Sequence, residues 1–596
     1  MNTTLHAVVE GQSLTRRQIL QCGLAVLSLS TLNACCIIPR PHAVCPNDPR
    51  VDDKTSPLLI DVHSHIFNGT DLQAERFISL VASRQVGGLQ GLWEALGPVL
   101  QALAWVAAPS GADELAKLDE LRALSPGPCE ADKLDVVLRI WRNEKYLEAR
   151  RQLEAAFAAR APASAAKART PGVQFESLSP EAQAASILYQ LPDTYERFRQ
   201  QAESERHVQK RTIYGYIFFV IEHFQYRYVS AHNYLFTYDA AAQRKVDLLV
   251  PSLVDYDWWL NDGAPTPTSI PSQVDVMERV AILTGGRVHP FVPFDPYRLV
   301  AYKLGHWKEY SPLGLLDKAV KEQGAIGVKL YPPMGFAPLG NGELQKLSPQ
   351  FWHKSWLGPI AERADFGVLL DEAMEELFAW AIAEDVPIMA HANRSNGPAP
   401  EFEKLGLAEY WKRVLTHVSR PEFGRLRVNF GHFGDIGSNQ KAEETPTDAF
   451  LALMSSSGSG ERAFADASFL SGVLDQPEAV RETLVDLFQR DGSRGAGLLP
   501  DRLMYGSDWK MLLTEGRSAE YLADFAGIVQ SVQNELAGHG QPLPGLLDNF
   551  LGKNAARFLG LRSGEGNRDR LSDFYRKKMG NMRPTWSQKV DSLPFN

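Results

Sequence analysis

Asp61-Val62-His63-Ser64-His65 sets two imidazoles two positions apart, directly after the apolar run Leu58-Leu59-Ile60. In an extended strand, residues i, i+2 and i+4 share a face, so Asp61, His63 and His65 can all turn one way and the two rings can chelate one ion. Taken alone, such a pair reads equally as a surface or satisfied core pair. Three other apolar runs, however, end in groups of the same kind. Val386-Pro387-Ile388-Met389-Ala390 leads into His391, Val428-Asn429-Phe430-Gly431 into His432, and Met504-Tyr505-Gly506-Ser507 into Asp508. Imidazole and carboxylate together suit one first-row divalent ion, Zn²⁺ before the others, with a position left for water. Such an ion draws the pKa of its water towards neutrality, which supplies a nucleophile without Ser or Cys chemistry.

Elements must bring these groups to one place. From Leu58 onward, short apolar runs alternate with longer helical patterns, the sequence form of repeated β-α units on a parallel sheet. The runs are Leu58–His63, Val246–Pro251, Val288–Pro293, Ala325–Leu330, Pro387–His391, Arg427–His432, Ala463–Ala467 and Leu503–Asp508. Most are continuously apolar, as expected of parallel strands covered on both faces. The expected fold is therefore α/β, a (β/α)₈ TIM-like barrel over residues 58–562 with its chemistry at the C-terminal strand ends. His391 to His432 spans 41 positions and Asp466 to Asp508 spans 42, each the length of one unit. Lys329 to His391 spans 62, and the excess holds a stretch from Pro332 to Gly342 that reads as a long loop over the barrel mouth.

A segment of about residues 71–244, between the first two runs, is too long for one unit. Its patterns over Leu89–Ala108, Ala131–Ala159 and Ser179–Tyr238 predict a large helical insertion, with a loose Pro/Ala/Ser linker near Arg160–Gly172. The apolar stretches Gly88–Ala107 and Ile213–Ile221 read as core helices of this cap first and as membrane-lying helices second. His223 and His232, within the cap, and His289, within the third run, read as structural. Asp466, at the end of the seventh run, either orients the site or caps a turn. Residues 563–596 form a polar tail without functional signal.

The composition, 44% hydrophobic and 22% charged over 596 residues, is that of a globular protein. A net charge of −9 without a basic stripe argues against nucleic acid as a partner. Of five cysteines, four (Cys22, Cys35, Cys36, Cys45) lie in the first 45 residues. That distribution excludes a disulfide-stapled scaffold and a thiolate-rich zinc site. Thr15-Arg16-Arg17-Gln18-Ile19-Leu20, followed by an apolar stretch to Leu32, resembles a bacterial Tat signal over residues 1–34. Leu32-Asn33-Ala34-Cys35 resembles a lipobox, after which 35–57 reads as a linker. The expectation is an exported protein, periplasmic or anchored to the membrane only through a lipid on Cys35. No G-x-S-x-G elbow, Walker loop or dinucleotide fingerprint follows a strand.

The ordered set D-x-H-x-H, G-V-K-L-Y-P, A-H-A, G-H-F-G, G-S-D-W and N-A-x-R-F, between Leu58 and Leu561, resembles the amidohydrolase superfamily. It is especially similar to the amidohydrolase-related branch that includes aminocarboxymuconate-semialdehyde decarboxylase. The resemblance implies His63, His65, His391 and Asp508 as metal ligands and His432 as the base or electrophile beside the bound water. It implies that Asp508 also accepts a proton from that water. His432 suits its part chemically, since an imidazole titrates near working pH. Lys329 and Tyr331, on a neighbouring strand, could hold an anionic substrate group. Arg394 could pair a substrate carboxylate in bidentate fashion or make a loop salt bridge. The implied activity is hydrolysis of a C–N or C–O bond in a small, carboxylate-bearing substrate. Non-oxidative decarboxylation on the same ligands is the alternative, and a binding lipoprotein without catalysis the second. The expectation is one divalent ion, with a second ion only if Lys329 is carboxylated. The long cap departs from compact members of the superfamily, and the oligomeric state is not legible.

Overall fold

The computed structural model describes residues 56–595 apart from 82–104, 106, 124–130, 161–181, 183–185, 187–188, 209–218, 220, 242–244, 438–444, 457–461, 471, 494–496, 516 and 581. The Tat-like segment, the lipobox, the cysteines, most of Leu89–Ala108 and all of the Arg160–Gly172 linker but Arg160 lie outside the described residues.

Each of the eight apolar runs contains a strand: β1 Ile60–Ser64, β2 Leu248–Pro251, β3 Phe291–Pro293, β4 Gly327–Leu330, β5 Ile388–His391, β6 Val428–Gly431, β7 Ala463–Asp466 and β8 Leu503–Met504. β1 pairs with β2, and β3 to β8 follow one another in chain order. All pairs are parallel. Parallel bridges Leu249↔Val288 and Ser252↔Phe291 join β2 to β3, and Ser64↔Trp509 joins the chain after β8 back to β1. Hydrogen bonds from Val62 N to the Tyr505 carbonyl (3.3 Å) and from Asp508 N to the His63 carbonyl (2.7 Å) reinforce that last seam. The ladder is thus a closed ring of eight strands, the expected barrel.

Alternation along β4 to β7 divides the side chains between two faces. Val328, Leu330, Ile388, Ala390, Val428, Phe430, Ala463 and Ala465 join the main apolar core with the surrounding helices. The intervening Lys329, Met389, His391, Asn429, Phe464 and Asp466 take the opposite face, the lumen. Both faces are buried, which explains why these runs read as continuously apolar until the polar residues near their ends.

The cap between β1 and β2 is helical as expected, with described helices Gly111–Ala123, Ala131–Arg160, Tyr195–Val208 and Arg227–Ala241. Within the Ser179–Tyr238 pattern the chain leaves helix at Leu191–Thr194 and turns again at His223–Tyr226. Arg227 explains where the next helix begins. It is fully buried and closes its two terminal nitrogens on Asp71 and Glu114, while its backbone N–H donates to Glu114 Oε2 (2.6 Å). Among the described residues no helix is long and apolar enough to cross a membrane.

Two further differences follow from packing. The Pro332–Gly342 stretch is partly ordered into a short 3₁₀ turn, Pro332–Met334, and the start of the helix Asn341–Leu347. The C-terminal tail is not a loose extension, since Gly566–Lys578 and Thr585–Ser592 are helices. They bury Phe574, Tyr575 and Trp586 in one core cluster with Ile60, Phe291 and Met389. Tyr575 Oη meets His289 Nε2 at 2.6 Å, Trp586 Nε1 donates to the Gly286 carbonyl (2.9 Å), and Lys589 Nζ donates to Asp247 Oδ2 (2.9 Å). All three partners precede their strands, so the tail covers the face opposite the strand ends that carry the chemistry. Its polar sequence hides a few well-spaced aromatic anchors.

Candidate metal centre

β1 ends in His63 and His65, both buried. His63 Nδ1 lies 3.1 Å from Asp466 Oδ2 and 2.8 Å from Ser468 Oγ. Donation of its N–H to the Asp466 carboxylate leaves the Nε2 lone pair outward. His65 Nδ1 lies 3.1 Å from the Ser252 carbonyl at the end of β2, which can only accept. Its Nε2 is then also a lone pair, 3.4 Å from Asp508 Oδ1. One ligand atom from each of His63, His65 and Asp508 lies within 4.8 Å of the others, the single such trio among the described residues.

His391 stands outside that tight trio but beside it. Its ring centroid is 4.6 Å from that of His432, which is 4.6 Å from that of His63. His391 Nε2 is buried without a hydrogen-bond partner among the described residues. A buried ring nitrogen without a hydrogen bond, beside a further imidazole, is costly unless something else takes the lone pair. The donor set therefore fits a divalent cation: three neutral-capable imidazoles and one carboxylate, hard-to-borderline ligands. Burial pushes the His63 imidazolium down to about 4 against the opposing pull of Asp466. Burial likewise holds His65 and His391 well below the usual histidine range. Neutral rings at working pH are what a metal requires.

Asp466 is the hub behind the rings. Burial alone would raise its carboxyl, yet His63, His432 and Ser468 hold it below the usual carboxylate range. It accepts from Asn429 Nδ2 (2.7 Å), His432 N (3.1 Å) and Ser468 N (3.1 Å) as well as from His63. The orienting role weighed for it from sequence is thus the geometry found. Ser468 was not legible as a site residue. Its Oγ touches both His63 Nδ1 and His432 Nδ1 (2.9 Å), and only its i+2 spacing from Asp466 could have signalled it. With Nδ1 of His432 held there and at the Ser468 carbonyl (3.2 Å), its Nε2 is the nitrogen left for chemistry.

The backbone bends sharply to deliver these groups. His432 (φ 63°), Phe433 (φ 44°) and Asp508 (φ 53°) occupy the left-handed region, which costs non-glycine residues of order 1–3 kcal/mol each and is typical of active sites. Two glycines make room for the ring of His63: a Cβ on Gly506 would stand 2.7 Å from His63 Cβ, and one on Gly431 would stand 3.0 Å from His63 Cε1.

The remaining sequence-predicted residues separate. Lys329 Nζ is buried 3.4 Å from His63 Nε2, and burial lowers its ammonium to about 8 against Asp508 and Asp466. Tyr331 sets its ring 4.5 Å from that of His391. Arg394 is instead 65% exposed and directs Nε and Nη2 to Glu403 Oε2, both at 3.1 Å, the loop salt bridge rather than an inward guanidinium. Asp61 does not join the ligand trio. It accepts from Tyr234 of the cap (2.5 Å), from His63 N (3.1 Å) and from Ser507 N (3.1 Å), a clasp between β1, the chain after β8 and the cap. His289 and His232 serve as structural partners of Tyr575 and Arg142.

Residues 313–561 match the amidohydrolase family model. No curated protein matches the sequence. A probable 2-pyrone-4,6-dicarboxylic acid hydrolase from Acinetobacter baumannii aligns at 14% identity over 55% of this chain and 88% of its own, with a TM-score of 0.30. The corresponding values are 14%, 55%, 87% and 0.31 for a 2,6-dihydroxybenzoate decarboxylase, and 11%, 52%, 78% and 0.28 for a 5-carboxyvanillate decarboxylase from Sphingomonas paucimobilis. The match begins before β4 and takes in Lys329, His391, His432, Asp466 and Asp508. His63 and His65 lie outside it and join the same cluster in space. Residues 313–561, the stretch that matches the amidohydrolase family model, form the later strands of this parallel α/β barrel.

Proposed function

We propose that this protein is a metal-dependent hydrolase acting on a C–N or C–O bond of a small, carboxylate-bearing substrate. The observation that carries the reading is the convergence of His63, His65 and Asp508 ligand atoms within 4.8 Å. Both ring Nδ1 atoms are tied to the protein and both Nε2 atoms face the shared space. His63, His65, His391 and Asp508 would hold one divalent ion, Zn²⁺ being the best match to the donors. Such an ion acidifies water and polarises a carbonyl. His432, fixed by Ser468, takes the proton from the attacking water at Nε2 and returns it to the leaving group. Asp508 gives the water a second acceptor. Lys329 and Tyr331 hold the substrate carboxylate on the β4 side, where the buried ammonium is a strong partner for an anion.

A second reading, decarboxylation, is favoured by the apolar rings around Lys329, because loss of CO₂ proceeds best where water is excluded. In that reaction the C–C bond breaks, its electron pair stays on carbon, and His432 delivers the proton there. The test joins metal analysis of the wild type and of the His63→Ala/His65→Ala double variant to a screen over lactones, amides, and aromatic or unsaturated carboxylates. About one ion per wild-type chain, none in the variant, and ¹⁸O from water in the product acid support hydrolysis. One CO₂ per turnover with one deuterium on carbon in D₂O selects decarboxylation. Full metal occupancy in the double variant would falsify the site, and a bound ion without turnover on any class would leave a binding protein.

A further inference from the structure

The candidate ligands straddle the seam at which the barrel closes. His63 lies in β1 and His65 just after it, whereas Asp508 lies in the chain beyond β8, a strand of only two residues that pairs with β7. Contact with β1 therefore runs through irregular chain: the bridge Ser64↔Trp509, with hydrogen bonds from Asp508 N to the His63 carbonyl (2.7 Å) and from His65 N to the Trp509 carbonyl (3.2 Å). Asp508 and Lys510 both hold positive φ there, 53° and 71°, a conformation that persists only where the surroundings impose it. The cap supplies part of those surroundings. From its helix Arg227–Ala241, Tyr234 sets its ring edge-on to that of Trp509, 5.3 Å between centroids, and Lys510 Nζ donates to the cap carbonyl of Glu222 (3.2 Å).

Tyr234 is fully buried and reaches one group further. Its Oη donates to Asp61 Oδ2 (2.5 Å), while Asp61 Oδ1 accepts from His63 N on one side of the seam and from Ser507 N on the other, both at 3.1 Å. One carboxylate thus ties the backbone of one ligand to the residue before another. With the hydroxyl on Oδ2, both of its oxygens are engaged and it cannot rotate away from the two amides without losing a bond. We propose that Tyr234 is a positioning residue of the metal centre: through Asp61 it fixes the spacing of His63 and Asp508 across the seam, so that the cap helps to set affinity for the ion. The inference rests on the metal-site reading given above. Groups behind the ligands act on affinity because an ion gains most from donors that already stand where it needs them, and losing such a group typically costs about 10–100-fold.

The test is the zinc dissociation constant of the full-length protein, measured by competition with a chelating dye, for wild type, Tyr234→Phe and Tyr238→Phe. Phenylalanine keeps the ring against Trp509 and removes only the hydroxyl, and circular dichroism of the metal-free proteins checks that the fold stands. Tyr238, one turn further along the same helix, donates to the Ser518 carbonyl (2.8 Å), so its variant loses a buried hydrogen bond of the same kind away from the ligands. Tyr234→Phe should weaken zinc binding about 10-fold or more, and Tyr238→Phe should leave it within about 2-fold. Equal zinc affinity in Tyr234→Phe and wild type would overturn the assignment. Equal weakening in the two variants would overturn it too, since general packing of the cap would then be the cause. A wild-type chain that binds no zinc overturns the metal-site reading itself, a result separate from binding that Tyr234→Phe leaves unchanged.

Discussion

At the barrel mouth, His63 and His65 each commit one ring nitrogen to the protein and leave the other turned to a shared space, and His391 leaves Nε2 without a partner. In the cap, Arg227 commits both terminal nitrogens, one to Asp71 and one to Glu114, behind a fully buried side chain. Tyr195 Oη donates to Glu222 Oε1 at 2.5 Å, and Lys510 Nζ reaches from the loop after β8 to the carbonyls of Phe67 (2.8 Å) and Glu222 (3.2 Å). Both regions bury charge. The cap network pairs its charges within the chain and fixes one helix against the next, with Arg227 Nε left without a hydrogen bond among the described residues, whereas the mouth gathers imidazole nitrogens and a carboxylate oxygen around one space. Electrostatics alone does not distinguish a site from a brace; the direction of the unpaired atoms does.

The largest expected effect tests the cap network. Arg227→Ala leaves two carboxylates buried without their cation, a loss of about 3–5 kcal/mol for a broken buried pair. Chemical denaturation should show it, and limited proteolysis should find the cap cut first while the barrel resists. Arg227→Met with Asp71→Asn and Glu114→Gln removes the whole charge set and should recover most of the stability. If Arg227→Ala unfolds the molecule as cooperatively as the wild type with no change in midpoint, the cap is not held by this triad.

At the mouth the effect should be on turnover. His432→Asn can keep the contact with Ser468 while removing the proton shuttle, so the ion should stay and kcat should fall on the order of 10²-fold or more. Metal content and steady-state kinetics measured on one preparation decide the matter. Loss of the ion together with activity would move His432 among the ligands.

The contrast also separates what the sequence could reveal from what it could not. Strands of a closed parallel barrel are buried on both faces, so they stand out as apolar runs, and polar residues at their ends stand out against them. His63, His65, His391, His432 and Asp508 were legible for that reason. Ser468 was not, because a serine two places after Asp466 looks like any strand-to-loop serine until the two imidazoles it bridges are brought to it from β1 and β6. The cap triad was equally hidden, since Asp71, Glu114 and Arg227 are separated by 113 and 156 positions from one another's partners and none interrupts a strand. The turn at His223–Tyr226 is hidden in the sequence because apolar and aromatic spacing continues across it, and the buried Arg227 that starts the next helix looks like a surface charge. The tail's helices are hidden in the sequence because their polar faces dominate the composition.

Lys329 offers a smaller, countable difference. Buried 3.4 Å from His63 Nε2, it either meets an anionic substrate as an ammonium or is carboxylated and bridges a second ion. We expect the first, with one ion per chain in both wild type and Lys329→Ala, whether or not bicarbonate is supplied during growth. The variant should then lose affinity for carboxylates rather than metal. Two ions in the wild type that fall to one or none in Lys329→Ala would sink the mononuclear reading.

The smallest effect should come from a charge that belongs to neither network. Arg394 lies one turn of loop beyond His391 and looks from sequence like a carboxylate clamp, yet its side chain is 65% exposed and meets Glu403. An exposed ion pair contributes about 0–1 kcal/mol, because solvent screens it and ordering two side chains offsets the attraction. Replacement by Gln removes the charge and retains much of the bulk. Arg394→Gln should therefore leave kcat/KM within about 2-fold and stability within about 0.5 kcal/mol. An inward swing of Arg394 on substrate binding would break this expectation in a recognisable way: KM for a carboxylate substrate would rise by about 10-fold or more, as for loss of a charge-assisted pair, with kcat and metal content unchanged. Glu403→Gln distinguishes that outcome from a loop disturbed by loss of its partner. It releases Arg394 without removing it, so a true clamp would then bind carboxylates at least as tightly as the wild type, whereas a loop that needs the salt bridge would be weakened by either substitution.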